Sequence, residues 1–282
     1  MKNSIFILII MSFFSCSSDD TSTDTSNNNN LPVTTYINLS TNNFWKYRIE
    51  TKNGTEPTIV EPNLDHLKIG TDEVIAGNTF KKMEAEGAAS GFFTGTMDQK
   101  KLRKVSDRLE FTGNISLELG NDLPTQSIPV ENFIIFKESA VNNVLLKEIS
   151  GTLPSIPITI PLNGIDQNIQ VTVKYKFRSI AGETLNSFTA SLPNSGTPDI
   201  TYTNVKAVKY ILTIEAKAPL LGIEVNLLSP VSQDFIVSTS YYAKNKGVVH
   251  TQTNTNLSFL STLNFSPISI LQKEYLEDFL NN

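Results

Sequence analysis

The chain has 282 residues but only one cysteine, one tryptophan and two histidines. A single thiol excludes an internal disulfide and a multi-cysteine metal site. Familiar catalytic patterns are missing too. There is no G-x-S-x-G, no S-x-x-K, no H-E-x-x-H and no phosphate-cradling glycine loop. Long apolar runs are also absent. The best, Ile5–Phe14, is about ten residues, against the roughly 20 a helix needs to cross a bilayer. Neither sign of charge dominates: 23 basic side chains face 28 acidic ones, for a formal charge of −5. Such a balance does not suit a nucleic-acid binder.

What is present begins at the N-terminus. Lys2 precedes the apolar run, and Ser15-Cys16-Ser17-Ser18-Asp19-Asp20 follows it. This is the layout of a signal peptide. Phe13-Phe14-Ser15-Cys16 resembles the lipobox of bacterial lipoproteins, although Phe13 stands where an aliphatic residue is usual. The acidic run after the cysteine resembles that of surface-exported Bacteroidetes lipoproteins. The resemblance implies cleavage after Ser15, palmitate-type acylation of Cys16, and an outer-membrane anchor facing the cell surface. Removing residues 1–15 takes Lys2 and no acid. Basic side chains then fall from 23 to 22 against 28 acidic ones, a charge of −6.

Residues 17–30 contain only Ser, Thr, Asp and Asn. Without apolar groups to bury, they are expected to form a disordered tether reaching about 20 Å. The expected organisation is therefore a signal peptide over 1–15, the lipidated cysteine and tether over 16–35, and one β-rich domain over 36–282.

The domain reads as strands because apolar and polar residues alternate. Trp45, Tyr47 and Ile49 share one face of the first segment, which ends at the Asn53-Gly54 turn. A tight hairpin is expected around Gly77-Asn78, and another across Ser106-Asp107. Ile169 to Phe177 is apolar at every odd position, which predicts a half-buried antiparallel strand. Phe235 to Tyr242 and Val248 to Thr255 pair across Asn245-Lys246-Gly247. The prolines predict that the middle of the chain is broken into short pieces, with 155–160 an edge segment or long loop. Near the C-terminus, Ile268, Leu271, Tyr275, Leu276 and Phe279 approach helical spacing, so a short helix is expected there. The alternative is a strand with a frayed tail.

Three patterns carry a wider resemblance: Asn43-Phe44-Trp45-Lys46-Tyr47, Glu73 through Lys82, and Thr201 through Val205 with Tyr241 through Val249. They resemble segments of an uncharacterised family of Bacteroidetes outer-membrane lipoproteins. That resemblance implies a large curved antiparallel sheet, similar to the half-barrel of lipoprotein carriers or to a lipocalin. It implies no activity or site. Residues 119–165 do not share the pattern.

Few residues invite a chemical role. His66 and His250 lie beside no obvious metal ligand, and Asp65-His66 are strand neighbours that must point to opposite faces. Asp72, Glu73, Glu84, Glu86, Glu183 and Glu215 could supply a hydrolase pair only through the fold. Lys81-Lys82, Lys100-Lys101, Arg103, Lys104 and Arg108 form one basic concentration. It reads as a solvated strand edge, or as a contact for anionic glycans. Trp45, Tyr47, Tyr241 and Tyr242 are core residues or a sugar platform. Phe92-Phe93, in a glycine-rich loop, line or lid an apolar cavity or anchor that loop.

The expectation is a non-enzymatic, cofactor-free surface lipoprotein. It would bind an apolar or amphipathic ligand or a partner protein through Phe92, Phe93, Trp45 and Tyr47. The alternative is an accessory part of a glycan-capture or adhesion system, and a hydrolase is the weakest reading.

Overall fold

A computed structural model describes residues 36–119, 125–162, 165–193, 199–220, 222–263 and 265–281. They belong to one compact unit over residues 34–282. The expected signal peptide, Cys16 and the tether lie outside the described residues.

The strands are β1 (Phe44–Asn53), β2 (Ile59–Val60), β3 (Asp65–Ile75), β4 (Asn78–Ala85), β5 (Lys101–Val105), β6 (Arg108–Leu117), β7 (Gln126–Lys137) and β8 (Leu145–Thr152). They continue as β9 (Ile156–Leu162), β10 (Ile165–Ala190), β11 (Ile200–Leu220), β12 (Ile223–Asn226), β13 (Ser232–Ala243), β14 (Gly247–Leu257) and β15 (Ile268–Leu280). A short helix, α1 (Phe92–Met97), interrupts them between β4 and β5.

One antiparallel path runs β7-β6-β5-β4-β3-β1-β15-β14-β13-β11-β10-β8, with β2, β9 and β12 attached beside it. The expected large curved sheet is present, and it is nearly closed into a barrel. Closure fails only between the end strands β7 and β8. There, side chains replace part of the missing ladder. Ser179 Oγ donates to Ile134 O at 2.5 Å and Tyr210 OH to Ile135 O at 2.7 Å. Lys206 Nζ donates to Glu138 O at 2.5 Å and also to Ala140 O. These bonds give carbonyls of β7 and of the turn just beyond it side-chain partners from β10 and β11. The Phe133 and Phe177 rings stack across the same seam, 4.5 Å between centroids.

The hairpins form as their turn residues predict, with Ile75 opposite Asn78 and Val105 opposite Arg108. Three expectations change. The C-terminal segment is a strand, not a helix. β15 pairs with β1 on one side and β14 on the other, so a helix there would leave both ladders open. The middle of the chain is not uniformly broken up. β10 runs 26 residues through a proline-free stretch, and Pro157 and Pro161 sit on the edge strand β9 beside it. β5 is an interior strand held between β4 and β6, so its lysines do not guard a sheet edge.

Candidate functional site

Alternation sets which side chains enter the barrel. Trp45, Tyr47 and Ile49 point inward and are buried. Tyr47 OH donates to Val248 O at 2.8 Å and Trp45 Nε1 to Lys246 O at 2.6 Å. One side of the interior is apolar, built from Phe111, Ile115, Ile135, Phe177, Leu212 and Ile236.

The other side is polar. Ser238 and Ser240 of β13 bond Thr253 and Thr251 of β14 at 2.8 and 3.1 Å. The register carries this stripe on to Gln272 and Glu274 of β15. Asp65 of β3 lies beyond, opposite Tyr47. Asp65 is 6 % exposed and Glu274 is 1 % exposed. Neither forms an ion pair with a cation among the described residues.

Their partner is α1. The first amides of a helix have no acceptor within it. Here the barrel wall supplies acceptors. Ser90 N and Gly91 N donate to Asp65, Phe92 N to Gln272 Oε1, and Phe93 N and Thr94 N to Glu274. The Thr94 hydroxyl also donates to Asp65, and Gln272 Nε2 returns a bond to Ser90 O at 3.0 Å. Gly91 is required by close approach, because a Cβ there would overlap the Glu274 carboxylate. Burial raises the Glu274 pKa to about 7, and the nearby Asp65 charge adds to the rise. The two amide bonds oppose it without cancelling it.

Phe92 and Phe93 sit at the start of this helix, rather than in a loop. With Met97 they face the apolar wall, and Phe93 meets the Tyr47 ring edge-on at 5.8 Å. α1 thus packs against the apolar wall, and a cavity of about 60 Å³ lies between them. The structure brings Phe92, Phe93 and Tyr47 together. Trp45 is buried in the core with its indole N–H bonded, and does not line the cavity.

The remaining titratable residues are dispersed. Asp65 and His66 point to opposite faces, and His66 Nδ1 meets Glu86 at 2.6 Å. Glu73 pairs with Lys101, Asp72 with Lys81 and Glu84 with Lys82. Arg103 and Arg108 converge on buried Glu110, so much of the basic concentration is compensated. Glu183 and Glu215 lie on the partly or fully exposed side of their strands. No group of three or more metal-ligating side chains occurs among the described residues. Tyr242 faces the cavity and hydrogen-bonds Tyr210 at 2.6 Å, while Tyr241 faces outward, stacked on Phe188 at 4.2 Å. The pair therefore forms no common platform.

Sequence reasoning missed Asp65, Gln272 and Glu274 as a group. The signal was present as polar residues at i and i+2: Ser238 and Ser240, Thr251 and Thr253, Gln272 and Glu274. Such a repeat ordinarily marks the solvent face of a strand, so only the register reveals that it points inward. Compared with known proteins, the chain matches no family model, no curated protein and no solved structure.

Proposed function

We propose that this is a non-enzymatic binding module, held at a membrane surface by acylated Cys16, whose barrel interior takes up an apolar or amphipathic ligand. The observation that carries this reading is the construction of the interior. An apolar wall is completed by α1, a connection between strands rather than part of the sheet. Small-molecule pockets usually occupy about 300–1,000 Å³. A cavity of about 60 Å³ is far smaller, so a ligand enters only as α1 withdraws. The module is then a gated binder, not an open carrier.

The test is native purification of a Cys16→Ser chain, which lacks the lipid, followed by extraction and mass spectrometry. Stoichiometric recovery of one amphipath class is expected. Recovery of none, together with no binding of added long-chain alcohols, overturns the reading. Acylation itself is checked by labelling with a palmitate analogue, which Cys16→Ser should abolish.

A second reading has its own support. A polar groove of about 450 Å³ crosses β8, β10, β11 and β13, with Ser150, Thr152, Lys174, Arg178, Thr213 and Asp234 among its lining. Hydroxyls mixed with both charge signs suit a saccharide, in keeping with a glycan-capture accessory. Binding on a glycan array that is lost in Arg178→Ala would favour it.

A further inference from the structure

We propose that α1 is a displaceable plug, latched by the buried side chains of Asp65 and Glu274, and that loss of the Glu274 proton releases it. The inference rests on the interior-binding reading and adds its regulation.

The argument starts from how α1 is attached. Every hydrogen bond from residues 90–94 to the barrel wall ends on a side chain: Asp65, Gln272 or Glu274. Among the described residues none uses a strand backbone. The helix can therefore leave without breaking a ladder. Its connections also turn sharply on both sides, with positive φ at Gly87 (86°) and Gln99 (57°). The frame stays fixed beyond them, since Glu86 N bonds His66 O and Met83 N bonds Lys100 O. These are the parts of a hinged segment: two turning points, a rigid surround and a seat made of side chains. Behind the seat lies the apolar cavity, which grows by the volume of Phe92, Phe93 and Met97 as they withdraw.

The seat is titratable. Facing the Glu274 carboxylate are Asp65 from β3 and the phenol of Tyr47 from β1, while Tyr202 and Tyr242 lie close to Tyr47. The phenols of Tyr47, Tyr202 and Tyr242 are all pushed above their ordinary range by burial and stay neutral. α1 carries no charged side chain over Phe92–Met97, and Asp98 beyond it caps Ala85 N. On the opposite face, His250 bonds the Glu274 backbone carbonyl, and Lys273 pairs with Glu50. Among the described residues no cation neutralises the pair from inside. Glu274 holds its proton to about pH 7 when α1 is docked, against an ordinary value of 4.5 once water reaches it. The docked state binds the extra proton, so acid favours docking. Raising the pH between these two values favours release, by at most tenfold per unit for one proton. Above about pH 7 the effect levels off.

The experiment follows hydrogen exchange over residues 88–100 in the Cys16→Ser chain from pH 5 to pH 8, corrected for intrinsic amide rates. Binding of the neutral apolar dye N-phenyl-1-naphthylamine is measured in parallel. Opening and dye affinity should both rise at least roughly tenfold between pH 5 and pH 7.5. Glu274→Gln should flatten both profiles. If that variant does not fold, Asp65→Asn and the wild-type exchange of α1 relative to β13 carry the decision. A pH-independent opening, or an unchanged slope in Glu274→Gln, overturns the proposal. Opening without any dye binding supports the latch and sinks the ligand reading. Equal dye binding at every pH, with α1 protected throughout, does the reverse.

Discussion

His250 and Glu274 share one backbone bond, and burial shifts their pKa values in opposite directions. His250 Nδ1 donates to the Glu274 carbonyl at 2.9 Å, which assigns the proton of the neutral ring to Nδ1. The Glu274 side chain points into the barrel while His250 stacks outside it, between Tyr241 and Tyr275. Burial lowers the His250 pKa to about 4 and raises that of Glu274 to about 7.

The two shifts predict compensating pH dependences. Glu274 binds its proton more tightly in the folded state. Its contribution to stability is present below about pH 4.5 and is lost as the pH rises to about 7. His250 is held neutral when folded, so its contribution is present above about pH 6.5 and is lost as the pH falls toward 4. Each effect is on the order of 3 kcal/mol at most. Wild-type stability from urea melts should therefore vary little between pH 4.5 and 6.5. Glu274→Gln should unmask a loss of stability in acid, and His250→Gln a loss toward neutrality. A steep wild-type profile in that window would contradict the pairing.

Phe188 shields this histidine. Its ring stacks on Tyr241 at 4.2 Å and lies 5.7 Å from His250. Phe188→Ala should admit water and move the His250 pKa from about 4 back toward 6.5, as followed by NMR titration. An unmoved value would show that other groups bury the ring.

The seam makes a separate prediction. Tyr242 OH donates to Tyr210 OH, which donates to Ile135 O, so Tyr210 links the end strand β7 to β11 and β13. Both phenols are raised above their ordinary pKa by burial. Tyr210→Phe leaves a buried donor and a buried carbonyl without partners. It should cost about 1–3 kcal/mol. Urea denaturation with an unchanged midpoint would show that the seam needs no such link.

Gly91→Ala tests the seat of α1 by sterics alone. The added methyl overlaps the Glu274 carboxylate and Thr94 Oγ1. The variant should lose about 1–3 kcal/mol of stability. Exchange over residues 90–97 should accelerate while the strands stay protected. Equal exchange in both proteins would mean that the seat accommodates a side chain.

Much of the fold was legible because period-two alternation survives in the sequence wherever a strand has one wet and one buried face. Ile169 to Phe177 and Trp45-Tyr47-Ile49 needed no tertiary information, and the turns at Gly77 and Ser106-Asp107 set their own hairpins. The C-terminal strand is hidden in the sequence because its inward face carries Gln272 and Glu274, which breaks the alternation and leaves an apparent helical spacing.

The sequence by itself determined an antiparallel β domain, its hairpins and the shared face of Trp45, Tyr47 and Ile49, since these follow from local side-chain periodicity and turn chemistry. Tertiary structure alone decided which polar stripe turns inward and that Phe92-Phe93 begin a helix. It also decided that Asp65 and Glu274, 209 positions apart in the numbering, close on adjacent amides at the start of α1. The physical reason is register. A strand's polarity pattern identifies two faces, but only its neighbours on either side settle which face the barrel encloses.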